Sequence, residues 1–288
     1  MSFTLAIWIS SFAYGVQTIV GKLTAKYSLS NPWHLNFVWT LFNLIIVVPM
    51  AIVSGIIIPS SITLFVVSGF FLALGNIFLT YSLYKLDITI FSPLFALRTA
   101  FTAILGLLFL GEKFTLFQYL LILLIFISGM FIKIDENFSF KKFKLQGLGY
   151  GIACMFFLSL SSMAIKIASV NGNYWNNIFW INIFTTLFLI FTIPMFIKEI
   201  TKTPLKKYFG ALGYSLFGGI GRILMFFGLA TNVTITTVVT SLPLSMIITI
   251  PLVYIFPKLL EKHSTKIYIY RLILAAIMVG SAIELSLR

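Results

Sequence analysis

ITIFSPLFALRTAFTAILGLLFLGEK, residues 88–113, is apolar almost without a break. Its length suffices to cross a bilayer as a helix, which takes roughly 20 apolar residues. Arg98 stands near the centre of the stretch, and Pro93 precedes it by one helical turn and a residue. Proline removes a backbone donor and loosens a helix where it falls. A guanidinium in the middle of a lipid-crossing helix is costly, so Arg98 is expected to face a protein interior or a wet cavity. At the end of the stretch, Gly111-Glu112-Lys113 makes a turn into another apolar run.

The rest of the chain has the same character. Its 288 residues are 60% hydrophobic and 9% charged, and the mean hydropathy is +1.06. Soluble domains carry about 25% charged residues, so the composition predicts an all-α integral membrane protein. Ten apolar runs are marked, at about 3–21, 33–54, 62–84, 88–110, 115–132, 145–168, 174–197, 207–230, 234–256 and 267–286. The first lacks a basic leader and a small-residue cleavage site, so it reads as a retained helix rather than a signal peptide. The loops are short and leave no room for a nucleotide-binding fold, which excludes ATP-driven transport by this chain alone. The net charge of +13 does not imply nucleic acid, because the lysines sit in short loops where they set topology. The single cysteine, Cys154, excludes an intrachain disulfide and reads as a packing thiol.

The two halves echo each other. Gly75-Asn76-Ile77 answers Gly221-Arg222-Ile223, Val48-Pro49-Met50 answers Ile193-Pro194-Met195, and Ser92-Pro93-Leu94 answers Leu242-Pro243-Leu244. Lys22 answers Lys166, Trp33 answers Trp175, Asp87 answers Asn232, and Glu112-Lys113 answers Glu261-Lys262. The expected division is a first five-helix repeat at 1–132, a linker loop at 133–144 and a second repeat at 145–288. An odd number of helices per repeat inverts the second half in the membrane and places a binding site between repeats near the midplane.

Trp8, the lysines closing the first and sixth helices, and Gly111-Glu112-Lys113-Phe114 followed by an apolar run ending Ile127-Ser128-Gly129 resemble the EamA-type members of the drug/metabolite transporter superfamily. The second copy departs from the pattern, with Leu260 in place of the turn glycine. The resemblance implies a basket of helices around a central cavity. The third, fourth, eighth and ninth helices form its core, the first, second, sixth and seventh its gates, and the fifth and tenth lie outside. It implies export or exchange of small metabolites without a cofactor, and the expected location is the plasma (cytoplasmic) membrane.

Arg98 and Arg222 are the sharpest candidates for substrate binding. A guanidinium grips carboxylate or phosphate through two parallel bonds. The alternative is that each caps a broken helix or reaches an interface. Asn76 is expected to orient substrate, although Asn36, Asn43, Asn76 and Asn182 can equally bond neighbouring helices. Trp8, Tyr14 and Gln17, at three- and six-residue spacings, are read as one face of the first helix, with Trp180 a further lining candidate. Pro49, Pro93, Pro194 and Pro243 are candidate hinges. Ala276 and Gly280 suggest internal packing or a homodimer face. All seven acids lie in loops or near helix ends. That disfavours proton-coupled export of cations, which usually needs an intramembrane carboxylate, and favours uniport or anion exchange.

The expected function is therefore alternating-access transport of a small anionic or zwitterionic metabolite. The rival is export of neutral or cationic amphiphiles through an aromatic-lined cavity. An enzyme is disfavoured, because the only histidines, His34 and His263, fall near helix ends. Fifteen of the 20 basic residues lie on the face of the odd-numbered loops and three (Lys113, Lys166, Arg288) on the other, Arg98 and Arg222 being the remainder. The positive-inside rule then puts both termini outside, whereas the resemblance implies both inside.

Overall fold

The computed structural model describes residues 2–59, 62–110, 114–132, 147–168, 174–231, 236, 239–240 and 242–287. The expected linker 133–144, the Gly111-Glu112-Lys113 turn and Asn232 lie outside the described residues, as do the side chains of Leu110, Lys166 and Arg288. Helices account for the regular structure, with no strand among the described residues. They are α1 (Phe3–Tyr27), α2 (Pro32–Val53), α3 (Ile62–Lys85), α4 (Ile88–Phe91), α5 (Phe95–Leu110), α6 (Leu116–Phe131), α7 (Leu148–Ala168), α8 (Tyr174–Ile190), α9 (Ile197–Ile200), α10 (Tyr208–Thr231), α11 (Leu244–Ile255) and α12 (Thr265–Leu287).

Local chemistry explains several boundaries. Asn31 accepts the Trp33 amide at 2.9 Å and Pro32 occupies the first turn of α2, where its missing donor costs nothing. Thr115 and Gln118 form a reciprocal capping box at the start of α6. The run at 88–110 is not one uniform helix: Ser92–Leu94 is a 3₁₀ turn between α4 and α5, because Pro93 cannot donate to the ladder. The run expected at 174–197 ends early, at Ile190, and passes through a 3₁₀ turn at Ile193–Met195. Pro194 again withholds a donor and biases its predecessor away from helix. Pro49 and Pro251 lie inside continuous helices, and Pro243 stands just before α11.

Among the described residues, five segments are long and apolar enough to span a membrane: Phe3–Tyr27, Pro32–Val53, Ile62–Lys85, Ile88–Phe109 and Thr265–Leu285. Leu116–Phe131, Leu148–Ala164 and Leu244–Ile255 are shorter apolar helices. Length and composition therefore support several spans rather than all ten of the expected ones. The chain is an all-helical membrane protein.

Packing follows a repeated antiparallel scheme. α1 lies along α10, where Tyr14 covers Gly221 and Ile7 covers Gly228. A Cβ on Gly228 would sit 2.6 Å from Ile7, so the close approach depends on glycine. α7 lies along α3 in the same way, with Ser161 donating to the Ser68 carbonyl at 3.0 Å and Leu158 against Gly75. α2 packs on α8 through Val47, Ala51, Ile178 and Phe179. α6 and α12 pack together and turn Leu120, Leu123, Leu124, Ile273 and Ile277 outward, as lipid-facing helices should. Ala276 and Gly280 also face outward, and a Cβ on Gly280 would meet nothing within 4 Å. Internal packing is therefore not their role.

Candidate functional site

Arg98 and Arg222 come together. Arg98 leaves the first turn of α5, just past the 3₁₀ break, and its carbonyl accepts from Ser159 at 3.1 Å. Its guanidinium Nη2 donates to Ser162 Oγ on α7 at 2.5 Å. Arg222 projects from the middle of α10 and donates from Nη1 to Asn182 Oδ1 on α8 at 3.2 Å. The two guanidinium groups are close enough to act on each other electrostatically, and Tyr14 lies within reach of both. Both arginines are half-buried. Neither has a carboxylate partner among the described residues, whose ion pairs lie elsewhere.

Both acceptors are held in place by their own helices. Ser162 donates to the Leu158 carbonyl at 2.8 Å, and Asn182 donates from Nδ2 to the Ile178 carbonyl at 2.8 Å. Each donor is thus spent on the preceding turn, which leaves an oxygen free to accept from the arginine. The Tyr174 hydroxyl adds a bond from α8 to the Ile223 carbonyl at 3.1 Å.

The other candidates divide. Tyr14 belongs to the cluster, its hydroxyl 3.7 Å from Met225 Sδ and its ring over Gly221. Gln17 packs one turn away, against Gly218. Trp8 does not join them: it is 47% exposed, on a face shared with Leu5, Ile9 and Phe12. The expected common face fails because each three-residue step falls about 60° short of a full turn. From Trp8 to Gln17 the drift is half a turn. Trp180 is spent at one end of the bundle, its indole donating to the Ile57 carbonyl at 2.9 Å. Asn76 is buried in α3, with its backbone carbonyl accepting from Thr80 at 2.9 Å. Asn36 bonds Thr80 and Trp39, and Asn43 bonds the Trp39 carbonyl, which are structural roles.

Two groupings escaped the sequence reading. Ser162 lies in Ser159-Leu160-Ser161-Ser162, a hydroxyl cluster inside an apolar run that was its available signal. The second grouping closes the end of the bundle that carries the first, third and ninth loops. There His263 Nε2 donates to Asp87 Oδ2 at 2.8 Å, and Arg271, 3% exposed, donates to Thr89 at 2.5 Å and approaches Asp87 at 3.7 Å. Lys22 donates to the Leu86 carbonyl at 2.8 Å and pairs with Glu261 at 3.3 Å. Tyr27 and Lys26 bond the carbonyls of Lys258 and Leu259. No spacing rule brings residues 87, 263 and 271 together. Burial would raise the Asp87 carboxyl, but the His263 hydrogen bond and the Arg271 and Lys22 charges together hold it below the usual range. A cavity of about 140 Å³ lined by Lys22, Ala25, Lys26, Leu83, Tyr84 and Glu261 opens at this end.

The sequence model of the EamA-like transporter family matches residues 1–134. An uncharacterized protein of Methanocaldococcus jannaschii is 32% identical over 129 residues, which is 43% of this chain and 90% of that protein. A crystal structure described only as that of a protein superposes with a TM-score of 0.61 at 13% identity, covering 98% of this chain and 95% of the other. That likeness speaks for the fold alone. With a family match over the first half and a relative aligned over nearly its whole length, the chain belongs to the EamA-like transporter family of the drug/metabolite transporter superfamily.

Proposed function

We propose that this membrane transporter moves a small anionic or zwitterionic metabolite by alternating access, with Arg98 and Arg222 as its binding groups. The observation that carries the reading is two guanidinium groups from opposite halves of the chain, each bonded to a neutral side-chain oxygen and neither to a carboxylate among the described residues. A charge-assisted bond to a carboxylate or phosphate is roughly twice as strong as one between neutral groups. An anion therefore gains more from this pair than a neutral or cationic solute does. Tyr14 lies within reach of the pair, and Asn76 is buried in a core helix nearby in sequence to the α7 contact at Gly75.

Ten spans in two inverted five-helix repeats are part of the same reading. The antiparallel pairing of α1 with α10 and of α7 with α3 supports it, because an inverted two-fold exchanges these pairs. The Methanocaldococcus jannaschii relative supports it too, since 90% of that protein aligns with under half of this chain. The proposed location is the plasma membrane.

Purified protein in liposomes is expected to take up labelled succinate, glutamate or phosphate. Arg98→Ala should reduce the initial rate at least about tenfold, the order expected for one lost charge-assisted hydrogen bond. Uptake that ignores Arg98→Ala overturns the site and favours the amphiphile-export alternative.

A further inference from the structure

The two arginines do not merely sit near one another. Arg98 reaches α7 and Arg222 reaches α8, two consecutive helices that both pack against α3. Both acceptors are neutral, and both are fixed by a hydrogen bond to the carbonyl four residues back. Two sites built alike on consecutive helices call for a shared explanation.

We propose that Ser162 and Asn182 are positioning residues that stand in for substrate in the unloaded protein, and that an incoming anion displaces them. The inference rests on the anion reading given above. Its logic is one of graded strength. A half-buried guanidinium with no partner is costly, so the unloaded state needs something to hold it. A carboxylate in the protein would hold it too well and shut substrate out. A serine or asparagine oxygen satisfies the donor yet yields to a charged oxygen, which makes the stronger bond.

Displacement also has a mechanical result. In the structure Arg98 ties α7 to α5, and Arg222 ties α8 to α10. When an anion takes both guanidinium groups, both ties break together. α7 and α8 then each lose one side-chain bond to the helices that carry the charges and keep one, from Ser159 to the Arg98 carbonyl and from Tyr174 to the Ile223 carbonyl. Binding is thereby coupled to the loss of one side-chain bond at each of α7 and α8, a differential contact of the kind that a ligand-driven change of state requires. Mere occupancy of one arginine would break only one of the two bonds.

The test uses the full chain, purified in detergent, with succinate, glutamate and inorganic phosphate as probes. Melting temperature is followed against probe concentration for wild type, Ser162→Ala, Ser162→Thr and Asn182→Leu. Without probe, Ser162→Ala and Asn182→Leu should melt below wild type, because an arginine loses its holder. With probe they should recover, and their apparent Kd should fall about tenfold below wild type, since the anion no longer competes with a hydrogen bond to a charged group. Ser162→Thr keeps the hydroxyl and should match wild type. A residue needed only for packing would lower the melting point without tightening anion binding. If wild type binds a probe and neither Ser162→Ala nor Asn182→Leu binds it more tightly, the stand-in role is overturned while the anion reading survives. If wild type is shifted by none of the three probes, the anion reading falls and takes this inference with it. Asn182→Leu acts on the other arginine, so a failure of Ser162→Ala to fold leaves the test intact.

Discussion

Arg98 shows how much one side chain constrains. Its cost in lipid forces a polar setting, and the setting is a serine hydroxyl on another helix. That a polar partner was needed could be read from the chain, but Ser162 could not be singled out, because 64 residues separate the two. The helix contacts turn on single residues in the same way. A Cβ on Gly69 would lie 2.6 Å from the Phe184 Cβ and 3.0 Å from the Thr185 backbone nitrogen. Backbone cannot step aside, so Gly69→Ala is expected to cost about 1–3 kcal/mol. Gly280→Ala meets nothing within 4 Å and should leave the melting temperature unchanged or raise it, since alanine is the better helix former by about 1 kcal/mol. Thermal unfolding of the two variants side by side checks the contrast, and equal losses would show that α3 and α8 do not pack this closely.

The helices themselves were largely legible. Apolar length and loop chemistry placed α2, α3, α6, α7, α10 and α12 within a few residues of the runs expected, while α1 runs six residues past its expected end, to Tyr27. Two of the misses share a cause. Hydropathy counts apolar residues and is blind to a lost donor, so Pro93 and Pro194 each divided what reads as a single run. Pro93→Ala is expected to join α4 to α5 and to stabilise the protein by about 1–3 kcal/mol. If the break serves as a hinge, the same variant should transport more slowly. A rise in melting temperature with undiminished uptake would make the break architectural only. The three-residue ladder of Trp8, Tyr14 and Gln17 failed at this scale too. A helix turns through 3.6 residues rather than three, which carried Trp8 round to the outer face.

Across the whole molecule, the Asp87, His263 and Arg271 cluster with Lys22 and Glu261 joins the end of α1 and the start of α4 to the loop before α12. Asp87→Asn should cost about 2 kcal/mol, the order of a hydrogen bond to a charged group. The sign of its pH dependence follows from the direction of the shift. The folded protein holds the Asp87 carboxyl below its ordinary value. Its contribution is complete above about pH 4 and is lost as pH falls through the lower folded value. Melting curves of wild type and Asp87→Asn should therefore differ at neutral pH and converge in strong acid. A constant difference down to low pH would remove Asp87 from that role. The first, third and ninth loops meet at this end, and the face expected to carry all the odd-numbered loops holds 15 of the 20 basic residues in the sequence. A reporter fused to the C-terminus should signal from outside the cell if the charge count governs orientation. A cytoplasmic signal would mean that the family's arrangement prevails.

The sequence by itself determined the class of protein, the approximate helices, the resemblance between halves and the two arginines that cannot face lipid. These follow from local composition, because the bilayer imposes the same length and polarity on every span. Only the tertiary structure decided which residues those arginines grip, that Trp8 looks outward, and that residues 87, 263 and 271 meet. Such contacts depend on the rotation of each helix about its axis and on which helices become neighbours. Those are set by the fit of many side chains at once, and no single stretch of the chain carries them.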